Sequence, residues 1–513
     1  MTSSIRTRAA GAVSPSRISD DPAIVASFLS DAAHVSGGFT DGVIFPDSVD
    51  AVAAAVAAAH HLLPVGAQSS LTGGATPRGE LVLSTRRLMA LDICDRRHVR
   101  VGPGVTLATL QQQLAQRGLY YPPAPTYDGA SVGGTIATNA AGAATFKYGS
   151  TRPWVHAITV VLADGGILDI TRGSVTASSR QTVELVRADD TSYEVPLPHY
   201  AMPRVAKLSA GYFSARGMDL IDLFIGSEGT LGVVSEAVLR IVDLPVRLTA
   251  LVTCSDDPQA LAVTAALREH AREAWAGRGA LDISAVEYMD ARSLRIVPDA
   301  VFHKSGIARP APGAVLLLVQ MEVTQSEEAT LGAFGDVLET AGVAVDPAIA
   351  RAGDARGAQR MFDVREAVPA SVNAAVARAR EHDDRIEKTA GDLIVPFESL
   401  SAAIVLYREV LDARDLDYAI WGHVSDGNLH VNIVPRSMAD VVAGRDALVD
   451  LARRVITMGG SPLAEHGVGR SAMKQLLLRE LYGEDGIEQM RRIKRALDPT
   501  WKLSPGVVFP AAG

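Results

Sequence analysis

The fold of this chain depends on one stretch, WGHVSDGNLHVN at residues 421–432, which is followed further along by AEHG at residues 464–467. If these segments are neighbouring strand ends, three imidazoles and one carboxylate converge on one place. They belong to His423, His430, Glu465 and His466. Imidazole and carboxylate groups form a ligand set for a borderline divalent metal such as Zn²⁺. A histidine beside that metal is a candidate proton acceptor, so the pattern predicts an active site.

The size and charge of the chain limit what surrounds this site. Its 513 residues are too many for one hydrophobic core, so two or three domains are expected. A hydrophobic fraction of 48% and a charged fraction of 21% are typical of a soluble globular enzyme. The formal net charge of -9 leaves no broad basic field for phosphates, which argues against nucleic acid as a partner. No apolar run approaches about 20 residues, so we predict no transmembrane segment.

The cellular setting is indicated by the cysteines and the first 20 residues. Cys94 and Cys254 cannot form a disulfide framework, and we interpret both as small buried apolar residues. A reducing, cytoplasmic location follows, either free or peripheral at a membrane. The first 20 residues contain three arginines and five serines, with Asp20 as the only acid. They fit an organellar targeting sequence or a disordered tail, and we favour the tail.

Hydrophobic periodicity divides the chain into two patterns. In the first, the expected helices are residues 47–63 and 107–118, and the expected strands are residues 81–84, 99–101, 158–162 and 167–170. A polar segment with several prolines, residues 189–209, is interpreted as a surface insertion. A second α+β unit on an antiparallel sheet begins near Leu248. Its expected elements are strands at 248–253 and 315–323 and a helix at 258–276, and a last amphipathic helix is expected at 485–497.

Three glycine-rich segments precede the second unit. The first, PVGAQSSLTGGA at residues 64–75, could close backbone N–H groups around a pyrophosphate, although alone it is equally well explained as a plain turn. The second, residues 129–142, has no charged side chain and consists almost entirely of small residues, which suits a flat, bulky ligand. The third, GSEGTLGVV, occupies residues 226–234. Together they favour a large dinucleotide over three coincidental turns.

The motifs GHxxDGNLHxN and AEHGxGR resemble those of the FAD-linked oxidase family, which shares the fold of vanillyl-alcohol oxidase and p-cresol methylhydroxylase. The subgroup resembled is the D-2-hydroxyacid dehydrogenases, including D-lactate dehydrogenase, the glycolate oxidase flavin subunit and D-2-hydroxyglutarate dehydrogenase. The resemblance covers residues 45–510. It implies an α+β fold: a PCMH-type FAD-binding domain of two subdomains, and an α+β cap domain whose antiparallel sheet covers the flavin. The implied division is a lead-in at 1–38, the FAD domain at 39–246, the cap at 247–480, and a returning helix and tail at 481–513.

The resemblance also implies roles for individual residues. His423, His430 and Glu465 would bind one divalent metal, Zn²⁺ first and Mn²⁺ or Fe²⁺ as alternatives, with Asn432 orienting ligands or touching flavin. FAD would be held noncovalently, because no His or Cys stands in the loop where relatives attach it. Glu228, Gly232 and Val233 would contact its adenosine end. The remaining implied FAD contacts are Gly66, Gln68, Ser69, Ser70, Gly73, Gly74, Pro125, Thr126, Gly129, Ser131, Gly133, Gly134, Thr138, Asn139 and Gly142.

Two departures from the family pattern matter. Ala67, Gln68 and Ser69 stand where the family has a third glycine followed by Thr-Ser, so a positive φ at Gln68 is not expected. The tail motif is altered at residues 503–507, which removes an amide and a lysine.

The implied activity is oxidation of a D-2-hydroxy acid, of the lactate, 2-hydroxyglutarate or glycolate type, to the 2-oxo acid. His466 would be the base, with hydride passing to flavin N5. Arg365 would hold the substrate carboxylate and Lys388 would face the pocket, although either could be a solvated residue. Electrons would leave to a quinone, a cytochrome, an electron-transfer flavoprotein or dioxygen, and a homodimer is possible. The alternatives are other chemistry on this fold, as in alcohol oxidases or alkylglycerone-phosphate synthase, or a flavin-binding subunit of a larger complex.

Overall fold

A computed structural model describes residues 2–13, 16–123, 125 and 127–510. Its helices are α1 (Pro22–Ala26), α2 (Val49–Ala58), α3 (Leu107–Ala115), α4 (Val132–Ala137), α5 (Thr145–Tyr148), α6 (Ile221–Phe224), α7 (Asp257–Trp275), α8 (Ala291–Ile296), α9 (Asp299–Ser305), α10 (Glu327–Thr340), α11 (Ala355–Arg380), α12 (Leu400–Asp412), α13 (Met438–Thr457) and α14 (Ala472–Leu497). Its strands are β1 (Ser4–Arg6), β2 (Val43–Ile44), β3 (Leu62–Val65), β4 (Leu81–Ser84), β5 (Leu91–Ile93), β6 (His98–Val101), β7 (Leu119–Tyr120), β8 (Val155–Val161), β9 (Ile167–Thr171), β10 (Thr182–Val186), β11 (Ser192–Pro196), β12 (Val233–Arg240), β13 (Val242–Asp243), β14 (Arg247–Cys254), β15 (Asp282–Met289), β16 (Val315–Glu322), β17 (Ala348–Ala350), β18 (Thr389–Ile394), β19 (Tyr418–His423) and β20 (Asn428–Ile433).

The strands up to β13 form an N-terminal unit. A parallel sheet has the order β2-β4-β3, and an antiparallel sheet has the order β5-β6-β12-β8-β9. A third sheet, β1-β10-β11, lies beside them, and β7 pairs with β13. Helix α3 presents Leu107, Leu110 and Leu114 to the shared core, at the i, i+3, i+7 spacing of one helical face.

Strands β14 to β20 form a seven-stranded unit with the order β17-β14-β16-β15-β19-β20-β18, and all its pairs are antiparallel. Every residue of β15, β19 and β20 is buried, because helices cover both faces of the sheet. One covered face includes the core residues Leu317 and Val431, and the other includes Leu316 and Trp421. Such complete burial means that the polar residues within these strands, such as Glu287 and His430, need partners inside the protein.

Register places the predicted site residues on one face of this sheet. Residues opposite each other in paired strands share a face. His430 is opposite Trp421 of β19 and Asp392 of β18, while His423 is opposite Glu287 of β15. The polar groups of four strands therefore meet where the sheet approaches the N-terminal unit.

The chain returns to the N-terminal unit after the seven-stranded unit. Residues such as Leu478, Ile493 and Val508 join the core of the N-terminal unit. The Leu62 amide donates to Lys502 O and the Ser504 amide donates to Leu62 O, at 2.9 and 2.8 Å. The N-terminal unit is therefore completed by residues from the far end of the sequence.

The structure confirms the α+β class and most predicted elements but corrects four of them. The helix predicted at 47–63 ends at Ala58, and Leu62 begins β3, because the residue before Pro64 favours extended backbone. Residues 4–6 are not a disordered tail, since they pair in parallel with β10. The segment 189–209 is not a surface insertion, because it contains β11 and ends near the buried Lys207. The last helix begins at Ala472, not at 485, with a break at Gly483.

Among the described residues, no helix is both long enough and apolar enough to cross a bilayer.

Candidate active site

The three glycine-rich segments, here called the cradle (residues 64–75, 129–142 and 226–234), surround a cavity of about 300 Å³. Close contact between them depends on glycine. A Cβ at Gly66 would lie 2.2 Å from Ser131 Oγ, and a Cβ at Gly133 would lie 2.5 Å from Pro103 Cβ. Ser131 caps the N-terminus of α4, where its hydroxyl accepts from the Gly134 amide. The cradle therefore presents backbone and small side chains to whatever fills the cavity.

Most predicted FAD contacts border this cavity. They are Gly66, Gln68, Ser69, Ser70, Gly74, Pro125, Gly133, Gly134, Thr138, Glu228, Gly232 and Val233. Thr126 lies outside the described residues. The others are not among the described residues that line the cavity: Gly73, Gly129, Ser131, Asn139, Gly142 and Asn432. Asn139, for example, supports the cradle from behind, accepting from the Arg152 amide and donating to Leu208 O.

Gln68 has a φ of +56°, contrary to the expectation from its missing glycine. Its side chain explains why this backbone conformation persists. Nε2 of Gln68 donates to Ser27 O at 2.9 Å and to Ser30 O at 2.8 Å. Two hydrogen bonds to the segment before β2 offset the strain of a left-handed non-glycine residue.

His423, His430 and Glu465, here called the histidine cage, converge beside the cavity. Glu465 Oε1 lies 3.3 Å from Nε2 of His423 and 3.3 Å from Nε2 of His430. The two imidazole rings are 5.4 Å apart between centroids and nearly perpendicular. Each ring thus directs one nitrogen at the same carboxylate oxygen.

The other nitrogen of each caging histidine faces a second carboxylate. Glu287 hydrogen-bonds Nδ1 of His423, and Arg365 Nε donates to the other oxygen of Glu287 at 2.7 Å. Asp392 Oδ1 lies 3.6 Å from Nδ1 of His430. Carboxylates behind the ring are the usual support of metal-bound histidines, since they hold the ring and raise its basicity.

Asp392 also holds the segment that carries the third histidine. Its Oδ2 accepts from the backbone amides of Glu465 and His466, at 2.8 and 3.0 Å. His466 Nδ1 lies 3.3 Å from the same oxygen, and the His466 side chain, 30% exposed, borders the cavity. His466 is thereby fixed between the cradle and the histidine cage.

Glu228 has a structural contact that its assignment to the adenosine end did not anticipate. Its two oxygens accept from the amides of Val468 and Gly469 at 2.7 and 2.8 Å. The third cradle segment is thereby joined to the loop that follows His466. Burial raises the pKa of Glu228 above its usual value, although these two amides oppose the shift.

Lys207 enters the site from the N-terminal unit. Its side chain is fully buried, with Nζ 2.7 Å from Glu465 Oε2 and 3.2 Å from Asp426 Oδ2. Burial alone would lower the pKa of Lys207, but the carboxylates of Asp426 and Glu465 outweigh it and raise this pKa. The amine is therefore a permanent cation next to the cage.

The ionisation of the histidines follows from these neighbours. Burial would lower the pKa of His423, but the Glu287 carboxylate outweighs it and raises this pKa to about 9. Burial lowers the pKa of His466 to about 4, with Asp392 opposing the shift. Near neutral pH, His466 is a neutral imidazole that can accept a proton.

The charges around the histidine cage fit a divalent cation. Four carboxylates, Glu287, Asp392, Asp426 and Glu465, and two cations, Arg365 and Lys207, contact one another or the histidines. Lys474 and Glu228 lie close by and add one basic and one acidic group, which leaves the balance unchanged. Two negative charges remain for the imidazoles or a metal to neutralise. A second group of potential metal ligands overlaps with the cage. It consists of one ligand atom each from Asp392, His430, Glu465 and His466, and these atoms lie within 4.8 Å of one another. We prefer the cage, because Asp392 is already occupied by two backbone amides while Nε2 of His423 faces Glu465.

Arg365 and Lys388 differ in their placement. Arg365 is buried and is bound to Glu287 through Nε alone among the described residues. Lys388 is exposed immediately before β18, where Nζ donates to Asn373 of α11 at 3.0 Å. The structure therefore brings Arg365 to the cage and leaves Lys388 outside it.

Sequence reasoning missed Glu287, Asp392 and Lys207. A charged residue within an apolar strand run was the available signal for Glu287 and Asp392, because such a residue needs a partner when buried. Lys207 follows a polar, proline-containing stretch and carried no comparable signal.

Two family models match the chain. FAD linked oxidases, C-terminal domain, covers residues 249–508, and FAD binding domain covers residues 40–171. The first model spans more than half of the chain, and the chain therefore belongs to the FAD-linked oxidase family. It is an FAD-dependent oxidoreductase.

Relatives agree with this assignment over nearly full length. D-2-hydroxyglutarate dehydrogenase of Xanthomonas citri pv. viticola is 32% identical, over 91% of this chain and 89% of its own. Glycolate oxidase subunit GlcD of Bacillus subtilis is 28% identical, over 96% and 94%. Among solved structures, 4-ethylphenol oxidase from Gulosibacter chungangensis superposes with a TM-score of 0.64 at 16% identity, covering 96% of this chain and 94% of that one. This last likeness establishes the fold alone.

Proposed function

We propose that the protein oxidises a D-2-hydroxy acid to the corresponding 2-oxo acid, with His423, His430 and Glu465 holding a divalent metal. The observation that carries the proposal is the convergence of two Nε2 atoms on Glu465 Oε1, each at 3.3 Å, beside the cradle. The names of the relatives supply the substrate class, since 2-hydroxyglutarate and glycolate are both 2-hydroxy acids. Bound FAD supplies the hydride acceptor, and the metal supplies Lewis-acid polarisation of the substrate hydroxyl.

His466 serves as the base in this proposal. Nδ1 of His466 faces Asp392 Oδ2, so the proton from the substrate hydroxyl is taken at Nε2. Asp392 then stabilises the imidazolium through Nδ1, while its bonds to two backbone amides hold the segment that carries the ring. The low pKa of His466, about 4, keeps the ring ready to accept a proton at neutral pH.

Arg365 positions the substrate carboxylate. Its Nε is held by Glu287, so the planar guanidinium has a fixed direction and its Nη atoms remain for a carboxylate. Lys388 is a second positive charge, one residue before the strand that carries Asp392, and its use requires it to leave Asn373. We propose Zn²⁺ as the metal, with Mn²⁺ or Fe²⁺ as alternatives. Electrons then pass to an external quinone, cytochrome, flavoprotein or dioxygen, in the cytoplasm.

The test is anaerobic bleaching of the bound flavin by D-lactate, D-2-hydroxyglutarate and glycolate, with L-lactate as the stereochemical control. We expect at least one of the first three to reduce the flavin, and L-lactate to leave it oxidised. Dialysis against EDTA should abolish this bleaching, and added Zn²⁺ or Mn²⁺ should restore it. No bleaching by any of these acids contradicts the substrate class, whereas bleaching that persists after complete metal removal contradicts the metal alone.

A further inference from the structure

The two carboxylate oxygens of Glu465 have different partners, because one of them contacts the buried amine of Lys207. Oε2 is 2.7 Å from Lys207 Nζ, while Oε1 is 3.3 Å from the Nε2 atoms of both His423 and His430. A glutamate without such a partner can place both oxygens on one cation. The structure therefore shows a carboxylate with one oxygen turned to the imidazoles and the other already engaged.

The contact between Lys207 and Glu465 lies in buried surroundings that stabilise it. The Lys207 and Asp426 side chains are fully buried, and that of Glu465 is 9% exposed. Removing an ammonium from two carboxylates in such surroundings leaves uncompensated buried charge, which is strongly unfavourable. Asp426 is itself fixed, since its Oδ1 accepts from the Asn428 amide in the turn between the strands of His423 and His430. The amine and its two partners form a buried ion cluster directly behind the cage.

We propose that Lys207 is a positioning residue that keeps Glu465 a one-oxygen ligand, so that coordination positions stay open for the hydroxyl and carboxylate oxygens of the substrate. The inference rests on the proposed function, because it concerns the cation held by the cage. A catalytic metal site must keep at least one position free, and a two-oxygen glutamate would occupy the position that a chelating substrate needs. Lys207 acts through Glu465 and does not touch the substrate.

The experiment compares the protein with the double variant Lys207→Met/Asp426→Asn, each loaded with Mn²⁺ and FAD. Both substitutions together remove one positive and one negative charge, so the buried charge balance is kept. Water-proton relaxation by bound Mn²⁺ reports how many waters the metal carries. We expect the double variant to lose about one bound water, because Glu465 turns its second oxygen to the metal. The KM for the hydroxy acid should rise about ten-fold or more, with a smaller change in kcat.

Two further variants separate positioning from stability. Lys207→Arg keeps a cation behind Glu465, so its water-proton relaxation and its KM should stay close to those of the unchanged protein. Lys147→Met/Asp282→Asn is the matched control, because Lys147 is also a largely buried lysine between two carboxylates, Asp282 and Glu322, at 2.6 Å from each. It joins the same two units but does not touch the cage. We expect it to lower thermal stability and to leave the relaxation of bound Mn²⁺ unchanged.

The outcomes distinguish this inference from the proposed function. If the water-proton relaxation and the KM of the Lys207→Met/Asp426→Asn variant both match those of the unchanged protein, the positioning role is wrong. The metal proposal is then left intact. The same loss of bound water in the Lys147→Met/Asp282→Asn control also overturns it, because the effect would then follow from disturbing the contact between units. Failure of the unchanged protein to bind either Mn²⁺ or Zn²⁺ overturns the positioning role together with the metal part of the proposed function, and leaves the substrate class to be decided by flavin bleaching.

Discussion

The cradle and the histidine cage are neighbouring sites built in opposite ways. The cradle consists of small residues and backbone amides, and each of its three segments is continuous in sequence. The cage and its supports consist of polar and charged side chains that come from the N-terminal unit, four strands of the sheet and the loop before α14. A backbone site leaves a visible mark on local composition. A side-chain site of this kind is specified by partners that are far apart in sequence.

The comparison predicts that removal of one side chain will harm the chemistry more at the cage and the adjoining His466 than anywhere in the cradle. His466→Asn should slow anaerobic flavin reduction by about 10²–10⁴, because the proton acceptor is lost, with FAD and metal retained. Stopped-flow absorbance of the flavin measures the rate. His60→Asn, at an exposed imidazole, is the control and should have no effect. An unchanged reduction rate in His466→Asn would remove this residue from the mechanism.

A second prediction concerns the carboxylates behind the cage. Glu287→Gln removes the negative charge and leaves one acceptor oxygen where Arg365 and His423 each had their own, and we expect metal affinity to fall about 10–100-fold while FAD affinity is unchanged. Competition with a chelator of known affinity measures the change. Glu322→Gln alters another buried carboxylate of the same sheet that pairs with Lys147 and should not affect metal binding. Equal losses in both variants would mean that the sheet, and not the cage, was disturbed.

The cradle should respond to added volume instead of lost charge. A Cβ at Gly133 meets Pro103, so Gly133→Ala should lower the free energy of unfolding of the FAD-free protein by about 1–3 kcal/mol. A Cβ at Gly134 lies 3.2 Å from Ser131 Oγ and otherwise points to open space, so Gly134→Ala should weaken FAD binding without that loss. Denaturant unfolding and flavin titration separate the two effects. If both variants lose stability equally, the proposed division between packing and ligand contact is wrong.

The smallest expected effect concerns the cysteines, which lie away from both sites. Cys94 is exposed, contrary to our interpretation from sequence, whereas Cys254 is buried and burial raises the pKa of its thiol to about 12. Near pH 8, only Cys94 should react with a thiol reagent in the folded protein, because the Cys254 thiolate forms only at much higher pH. Unfolding should expose the second thiol. Two rapidly reacting thiols in the folded state would contradict this placement.

The sequence predicted the fold class and the convergence of His423, His430 and Glu465, because local motifs carry that information. It did not predict Gln68, whose positive φ depends on hydrogen bonds to Ser27 and Ser30. Nor did it predict Lys207, whose burial depends on carboxylates more than 200 positions away. Local periodicity reports which face of an element is apolar, but it cannot report which distant side chain neutralises a buried charge.

The return of residues 494–508 to the N-terminal unit has a consequence for biosynthesis. Lys494 Nζ donates to the carbonyls of Thr230 and Leu503, and the Leu62 amide meets Lys502 O. On the ribosome, this closing segment emerges only after the entire seven-stranded unit has been translated. The nascent N-terminal unit therefore remains incomplete while the seven-stranded unit is translated. Cofactor loading should be a post-translational event.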